Sequence, residues 1–214
     1  MKWLKVLLIL LVGVSAYAAG NLLSTNCSAD VAENINAAIT KVEEILCIAD
    51  SKDYDAAPQD LNSRLFNACE NGDVSTIQRL IEKSKNGGGK LNFNASDEAD
   101  FTPLMYAAAG GHARVVRLLL QQPGIDVRRT NNGFSAFMLA CIGGYGEVVN
   151  AFIEHPDKLA QTVNQEIPFT NNGKTLRYTA LSWACVNKHT ALVSKLRAQT
   201  NAKDPDNVCA CSGY

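Results

Sequence analysis

The chain has 214 residues, enough for one sizeable core and too few for several independent domains. Its 20 Lys and Arg meet 21 Asp and Glu, a formal net charge of −1. No global field therefore draws it to nucleic acid or to an anionic membrane surface, and nucleic acid is set aside as a partner.

At the amino terminus Lys2 and Lys5 precede an apolar run from Val6 to Val14, and Ala16-Tyr17-Ala18 comes after it. Basic, apolar, then small-x-small is the order of a secretory signal, here cut near Ala18. The run is well short of the roughly 20 residues that span hydrocarbon. Cys27 lies too far on, behind Ser24-Thr25-Asn26, for a lipoprotein signal. Residues 1–18 are thus set outside the fold, no stable membrane span is expected after cleavage, and the expected location is secreted or periplasmic. In residues 19–60, Ser28-Ala29-Asp30 leads into Val31, Ile35, Ala38, Ile39, Val42, Ile45 and Leu46. This spacing predicts a capped amphipathic helix of about five turns that covers the exposed end of the segment beginning at residue 61. Ser51 to Asp60 reads as a polar linker.

A repeat then begins. Phe101-Thr102-Pro103-Leu104-Met105-Tyr106-Ala107-Ala108 is matched 33 residues on by Phe134-Ser135-Ala136-Phe137-Met138-Leu139-Ala140-Cys141. A further 44 residues on stands Tyr178-Thr179-Ala180-Leu181-Ser182-Trp183-Ala184-Cys185, and a weaker copy, Leu65-Phe66-Asn67-Ala68-Cys69, precedes them all. Each copy is succeeded by a second apolar stripe: Ile77, Leu80 and Ile81; Val115, Val116 and Leu118 to Leu120; Val148, Val149 and Ala151 to Ile153; Leu192, Val193 and Leu196. Such spacing marks the inner face of a short helix, so each unit is two helices joined at Gly-His or its equivalent.

These residues resemble the ankyrin repeat, whose pattern runs T-P-L-H-x-A-A-x-x-G-H-x-x-V-V-x-L-L-L with a β-turn between units. The resemblance covers about residues 61–199 and predicts an all-α solenoid of helix-turn-helix units with β-turn fingers. Four units are expected, at about 61–96, 97–129, 130–173 and 174–199, and after them a cysteine-containing tail, 200–214. Departures are several: the motif histidine is Met105, Met138 or Ser182, the motif proline is Ala136 or Ala180, and the motif glycine is Lys188 in the last copy. Two connections exceed the period. Lys83 to Lys90, with Gly87-Gly88-Gly89, reads as a bulge. Thr162–Ile167 and Thr175–Thr179, flanking Asn171-Asn172-Gly173, read as an elongated β-hairpin, either a functional loop or a neutral insertion.

Seven cysteines divide by register. Cys69, Cys141 and Cys185 share one position of the first helix, where the remaining copy has Ala108, and are expected as small core residues too far from one another to bridge. Cys27, Cys47, Cys209 and Cys211 lie outside the repeats, and one or two disulfides among them suit an oxidising compartment. Cys27 and Cys47 sit near opposite ends of one expected helix, about 30 Å apart if it is straight. The tail either clips back on the last repeat, bridges to another chain or binds metal, the last with no His or second Cys pair at zinc spacing to accompany it.

His112 and His189 fall at the Gly-His turn, and His155 stands beside Pro156. No serine, histidine and acid arrangement, metal box or phosphate-cradling loop emerges, so neither catalysis nor a cofactor nor a metal is expected. Asn26-Cys27-Ser28 and Asn94-Ala95-Ser96 are formal glycosylation sequons.

The resemblance implies a noncatalytic protein-binding scaffold. Its concave face would carry Phe101, Phe134 and Tyr178 on the fingers, with Ala109, Ile142 and Val186 beside them and Arg128, Arg129 and Lys174 as a basic rim. The rings are either partner anchors or packing that stiffens the fingers. The alternatives are a small secreted enzyme or metal-binding protein using the terminal cysteines and the hairpin, and an inhibitor or immunity-type binder.

Overall fold

Each clear repeat copy begins with a hydroxyl residue in extended backbone that turns into helix. In the computed structural model, which describes residues 61–86, 91–171 and 174–211, Thr102, Ser135 and Thr179 accept through their hydroxyls from the N–H of Met105, Met138 and Ser182. The distances are 3.2, 3.4 and 3.3 Å. Each bond satisfies a donor that a helix start leaves orphaned. Thr179 goes further: its own N–H donates to Ser182 Oγ at 3.2 Å, closing a capping box.

The chain divides into two units between Val163 and Asn164. The described part of the first holds α1 (Leu61–Asn71), α2 (Val74–Lys85), α3 (Pro103–Ala109) and α4 (Ala113–Leu120). It continues with β1 (Thr130–Asn131), β2 (Phe134–Ser135), α5 (Ala136–Ile142), α6 (Gly146–Ile153) and α7 (Pro156–Thr162). The helices pair as α1–α2, α3–α4 and α5–α6, with α3 between α1 and α5, and α4 between α2 and α6. In the second and third pairs the first helix is buried nearly throughout, from Pro103 to Ala108 and from Ala136 to Cys141, whereas α1 buries only Leu65, Phe66, Ala68 and Cys69. The second buries one stripe, Val115, Val116, Leu119 and Leu120 in α4, and Val148, Val149, Ala151 and Phe152 in α6. Cys69, Ala107, Ala108, Ala140 and Cys141 are 0% exposed, and their small volume is what lets first helices pack side by side.

The turn within a pair needs one left-handed residue, supplied by Gly72 (φ 69°), Gly111 (φ 72°) and Gly144 (φ 70°). Space demands glycine as well. A Cβ on Gly72 would lie 2.6 Å from the His112 ring, and one on Gly111 2.7 Å from the Tyr145 ring. The β1–β2 finger closes on Asn132 (φ 46°) and Gly133 (φ 90°), the two left-handed residues of a tight hairpin, with Asn131 opposite Phe134.

In the second unit β3 (Ile167–Asn171) pairs antiparallel with β4 (Lys174–Tyr178), in a register running from Ile167↔Tyr178 to Asn171↔Lys174. Next come α8 (Ala180–Val186), α9 (Thr190–Gln199) and α10 (Val208–Cys211), with α8 packed against both α9 and α10. Lys188 (φ 57°) takes the left-handed place between α8 and α9.

The hairpin differs from expectation at its start. Thr162 ends a helix instead of opening a strand, because Leu159 and Thr162 recur at helical spacing and both are buried. Thr162 Oγ1 donates to Ser135 Oγ at 3.1 Å, which ties the end of α7 to the cap of α5. The return strand ends one residue early, at Tyr178, because Thr179 is committed to capping α8. The expected amino-terminal helix, the Gly87-Gly88-Gly89 bulge and the hairpin turn residues 172–173 lie outside the described residues.

Candidate functional site

The fingers of the first unit are built by side chains that fold back on their own backbone. Asp97 Oδ1 accepts from the N–H of Ala99 and of Phe101, each at 2.9 Å, while Asp97 Oδ2 accepts from the Tyr106 hydroxyl at 2.7 Å. One carboxylate thus fixes both the finger and the helix behind it. Neighbouring fingers are bridged by asparagines. Asn94 Nδ2 donates to Gly124 O at 2.8 Å and Asn94 Oδ1 accepts from Asp126 N–H at 2.9 Å, while Asn131 Nδ2 donates to Ala99 O. Asn94, picked out from sequence as a sequon residue, therefore has both ends of its amide engaged in this linkage.

Between these fingers lies an open cleft of about 510 Å³ lined by Asp100, Asp126, Arg128, Arg129 and Thr130. Arg128 and Arg129 are exposed; Arg128 Nε stands 3.5 Å from Asp126, and Arg129 donates to Ser96 Oγ at 3.3 Å. The rim presents both signs of charge.

The aromatic ladder expected from the register lies inside. Phe101 is 2%, Phe134 1% and Tyr178 0% exposed. The Phe101 ring packs on Tyr106 with centroids 5.2 Å apart; Tyr178 packs on Phe169 and Trp183 at 5.4 and 5.1 Å. Rings at this depth brace the finger bases, and their use as direct partner anchors is corrected accordingly. Ile142 and Val186 are half-buried and Lys174 is exposed, so each presents surface within its own unit.

Cysteine chemistry needs one correction. Cys69 and Cys141 are buried free thiols, and burial pushes both well above the ordinary thiol range, which leaves them inert. Cys185, expected to be like them, instead lies at disulfide-bonding distance from Cys209, with Cα atoms 5.0 Å apart. The register correctly placed Cys185 in the core, but α10 folds back onto α8 and brings a thiol to it from outside the repeats. Cys27 and Cys47 lie outside the described residues. Among the described residues no group of three or more His, Cys, Asp and Glu side chains converges on a metal position, and no helix is long and apolar enough to cross a membrane.

Histidines serve the scaffold. His112 Nε2 lies 2.8 Å from Glu70 O and thereby links α4's start to the end of α1, and His155 Nδ1 lies 2.8 Å from Ala151 O. On the second helices Arg117 donates twice to Glu154, at 2.8 and 3.0 Å. This pairing raises the guanidinium and lowers the carboxyl from their ordinary values.

Comparison with known proteins agrees with this architecture. The family model described as Ankyrin repeats (3 copies) matches residues 31–131 and 65–163. The chain is 38% identical over 87 residues to the human 2-5A-dependent ribonuclease, which covers 41% of this chain and 11% of that protein. It is 33% identical over 81 residues to the mouse 2-5A-dependent ribonuclease (38% of this chain, 10% of that protein). Mouse ankyrin repeat and SAM domain-containing protein 6 is 33% identical over 89 residues, covering 32% of this chain and 10% of that protein. The chain thus spans only about a tenth of the length of these relatives, and the ribonuclease name belongs to those whole proteins.

Proposed function

This chain belongs to the ankyrin-repeat family, and we propose that it is an exported scaffold that acts by binding another protein, without catalysis of its own. Ankyrin repeats are in general noncatalytic modules that mediate protein–protein interaction, which gives the coarse function. The observation that carries the finer reading is the finger surface of the first unit. Asn94, Asp97 and Asn131 hold the fingers by side-chain bonds, and the exposed Arg128 and Arg129 stand on a cleft between them. Preorganised loops present a partner with little ordering cost, and exposed guanidinium groups favour an acidic segment.

The reading extends to about four repeat units, each offering its fingers and first helix to a partner. Ile142 and Val186 would add apolar contact, each within its own unit, and the helix expected over 31–46 would cap the amino-terminal end. The family match from residue 31 supports counting that segment with the repeats. Lys2, Lys5, the Val6–Val14 run and Ala16-Tyr17-Ala18 support export by a cleaved signal, to the periplasm or beyond. Sequencing the amino terminus of mature protein taken from its native host should find a start just after Ala18.

The decisive experiment is crosslinking and capture from the native compartment, then affinity measurement on the partner identified. Charge reversal at both Arg128→Glu and Arg129→Glu should weaken that partner by about tenfold or more, chiefly through slower association at low salt. Arg114→Glu, an exposed residue on α4, serves as the control. Equal affinity for all three proteins would overturn the finger surface as the binding face.

A further inference from the structure

In the first unit the first helix of each pair is covered by the first helix of the next, as α3 covers α1 and α5 covers α3. The helix α8 is covered instead by residues 200–211, and their chemistry is that of a fitted closure. Asp204 is the hub. Its Oδ1 accepts from the Ser182 hydroxyl at 2.8 Å and from Val208 N–H at 3.1 Å, while Oδ2 accepts from Cys209 N–H at 2.8 Å. The carboxylate thereby caps the start of α10 and ties it to the first turn of α8 in one stroke.

Further bonds hold the same segment. Thr179 Oγ1 donates to Lys203 O at 2.6 Å, and the Arg177 guanidinium donates to both oxygens of Asp206. Asn164 Nδ2 donates to Asn201 O and Asn164 Oδ1 accepts from Lys203 N–H, at 3.2 and 2.8 Å, the same two-ended grip that Asn94 exerts on Gly124 and Asp126. The tail therefore meets Asn164 as one finger meets the asparagine of another. Val208 is 0% and Cys209 1% exposed.

We propose that residues 200–211 form a closing cap for α8, and that the Cys185–Cys209 pair is a redox latch on it: oxidised, the cap is held shut; reduced, it opens while residues 61–163 stay folded. Three features carry this. The pair joins the buried face of α8 to a segment that is also held by hydrogen bonds, by the Arg177–Asp206 ion pair and by burial of Val208. It spans 24 residues, so breaking it releases a short local segment and not the body of the fold. The register identifies it as an addition: of Cys69, Ala108, Cys141 and Cys185, only Cys185 has a thiol partner among the described residues.

The opening step is thiol–disulfide exchange with a dithiol. A thiolate of the dithiol attacks one sulfur, and the other leaves with the bonding electron pair and takes a proton from solvent. The second dithiol thiol, as its thiolate, then displaces the mixed disulfide, and the protein sulfur it releases is protonated. Two thiols form on the protein and one disulfide on the reductant. The inference does not depend on the partner-binding reading.

The test is amide hydrogen exchange on the full mature chain, oxidised and after reduction with dithiothreitol, alongside Cys185→Ala and Cys209→Ser. Alanine already fills the Cys185 register at Ala108, so Cys185→Ala retains the core packing. Thiol labelling of the unreduced, denatured protein should leave Cys185 and Cys209 unmodified. Reduction or either substitution should raise exchange at 204–211 and in the first turns of α8 by tenfold or more, with 61–163 unchanged. Labelling of both cysteines before reduction would overturn the latch. So would unchanged protection at 204–211 after reduction, or a loss of protection that spreads equally through 61–163.

Discussion

Four positions do the same backbone job in the four turns, and three are glycine. Gly72, Gly111 and Gly144 adopt the left-handed conformation without a side chain to object, whereas Lys188 adopts it with one, at φ 57°. Replacement of Lys188 by glycine should raise stability by up to about 1 kcal/mol, measured by denaturant unfolding, because steric relief outweighs the added freedom of the unfolded chain. An unchanged or lower midpoint would mean that the Lys188 side chain contributes more than its backbone costs. At Thr179 several roles converge, the cap of α8, the reciprocal bond with Ser182 and the bond to Lys203 O. Thr179→Ala should therefore cost about 1–2 kcal/mol in the same measurement. The capping roles of Thr102, Ser135 and Thr179 were legible because the hydroxyl recurs in register. The roles of Asp97 and Asn131 were not, since a carboxylate or an amide in a loop declares no partner until the fingers are placed.

The helices show how local chemistry and packing divide the labour. α2 is polar enough on its outer face that its start depends on Asp73, whose carboxylate accepts from the Thr76 N–H at 3.0 Å and the Ser75 hydroxyl at 2.7 Å. The side-chain bond with Thr76 and that with Ser75 hold this carboxyl down to about 2 from an ordinary 3.8. A carboxyl lowered on folding lends its stability fully above the unfolded value and loses it as pH falls through the folded one. The amides of the first turn of α2 should therefore keep their protection to below pH 4 and lose it toward pH 2, monitored by NMR with the Asp73 carboxyl as the direct probe. A midpoint near 3.8 would show that the cap is not formed in solution. The α7 helix is the element that the sequence misplaced. Thr162 is expected to open a strand, but proline suits a first helical turn, and burial of Leu159 and Thr162 decides for helix over Pro156–Thr162.

Across the whole molecule, the family match over 31–163 and the paired helices agree on what kind of protein this is, an ankyrin-repeat protein, of a family that in general mediates protein–protein interaction. Where that contact falls is a question of which recurring residues reach the surface. Phe101, Phe134 and Tyr178 recur as conspicuously as any motif, yet all are buried, while the less regular Arg128 and Arg129 stand exposed on the finger cleft. The charge-reversal experiment on these two arginines therefore tests the molecule as a binder. Deuterium exchange at the cap tests it as a redox-responsive one, and the two outcomes are independent.

The amino-acid sequence by itself determined the family, the repeat register, the paired helices and their caps. Those depend on periodic apolar spacing and on side chains that bond to their own neighbouring backbone, and both are local. Burial of the aromatic row, the asparagine bridges between fingers and the Cys185–Cys209 pair were decided only in the tertiary structure. The bridges and the cysteine pair are contacts between residues far apart in the chain, and the rings are buried only when whole units pack around them, so the energy of each exists only once the backbone has brought the two sides together.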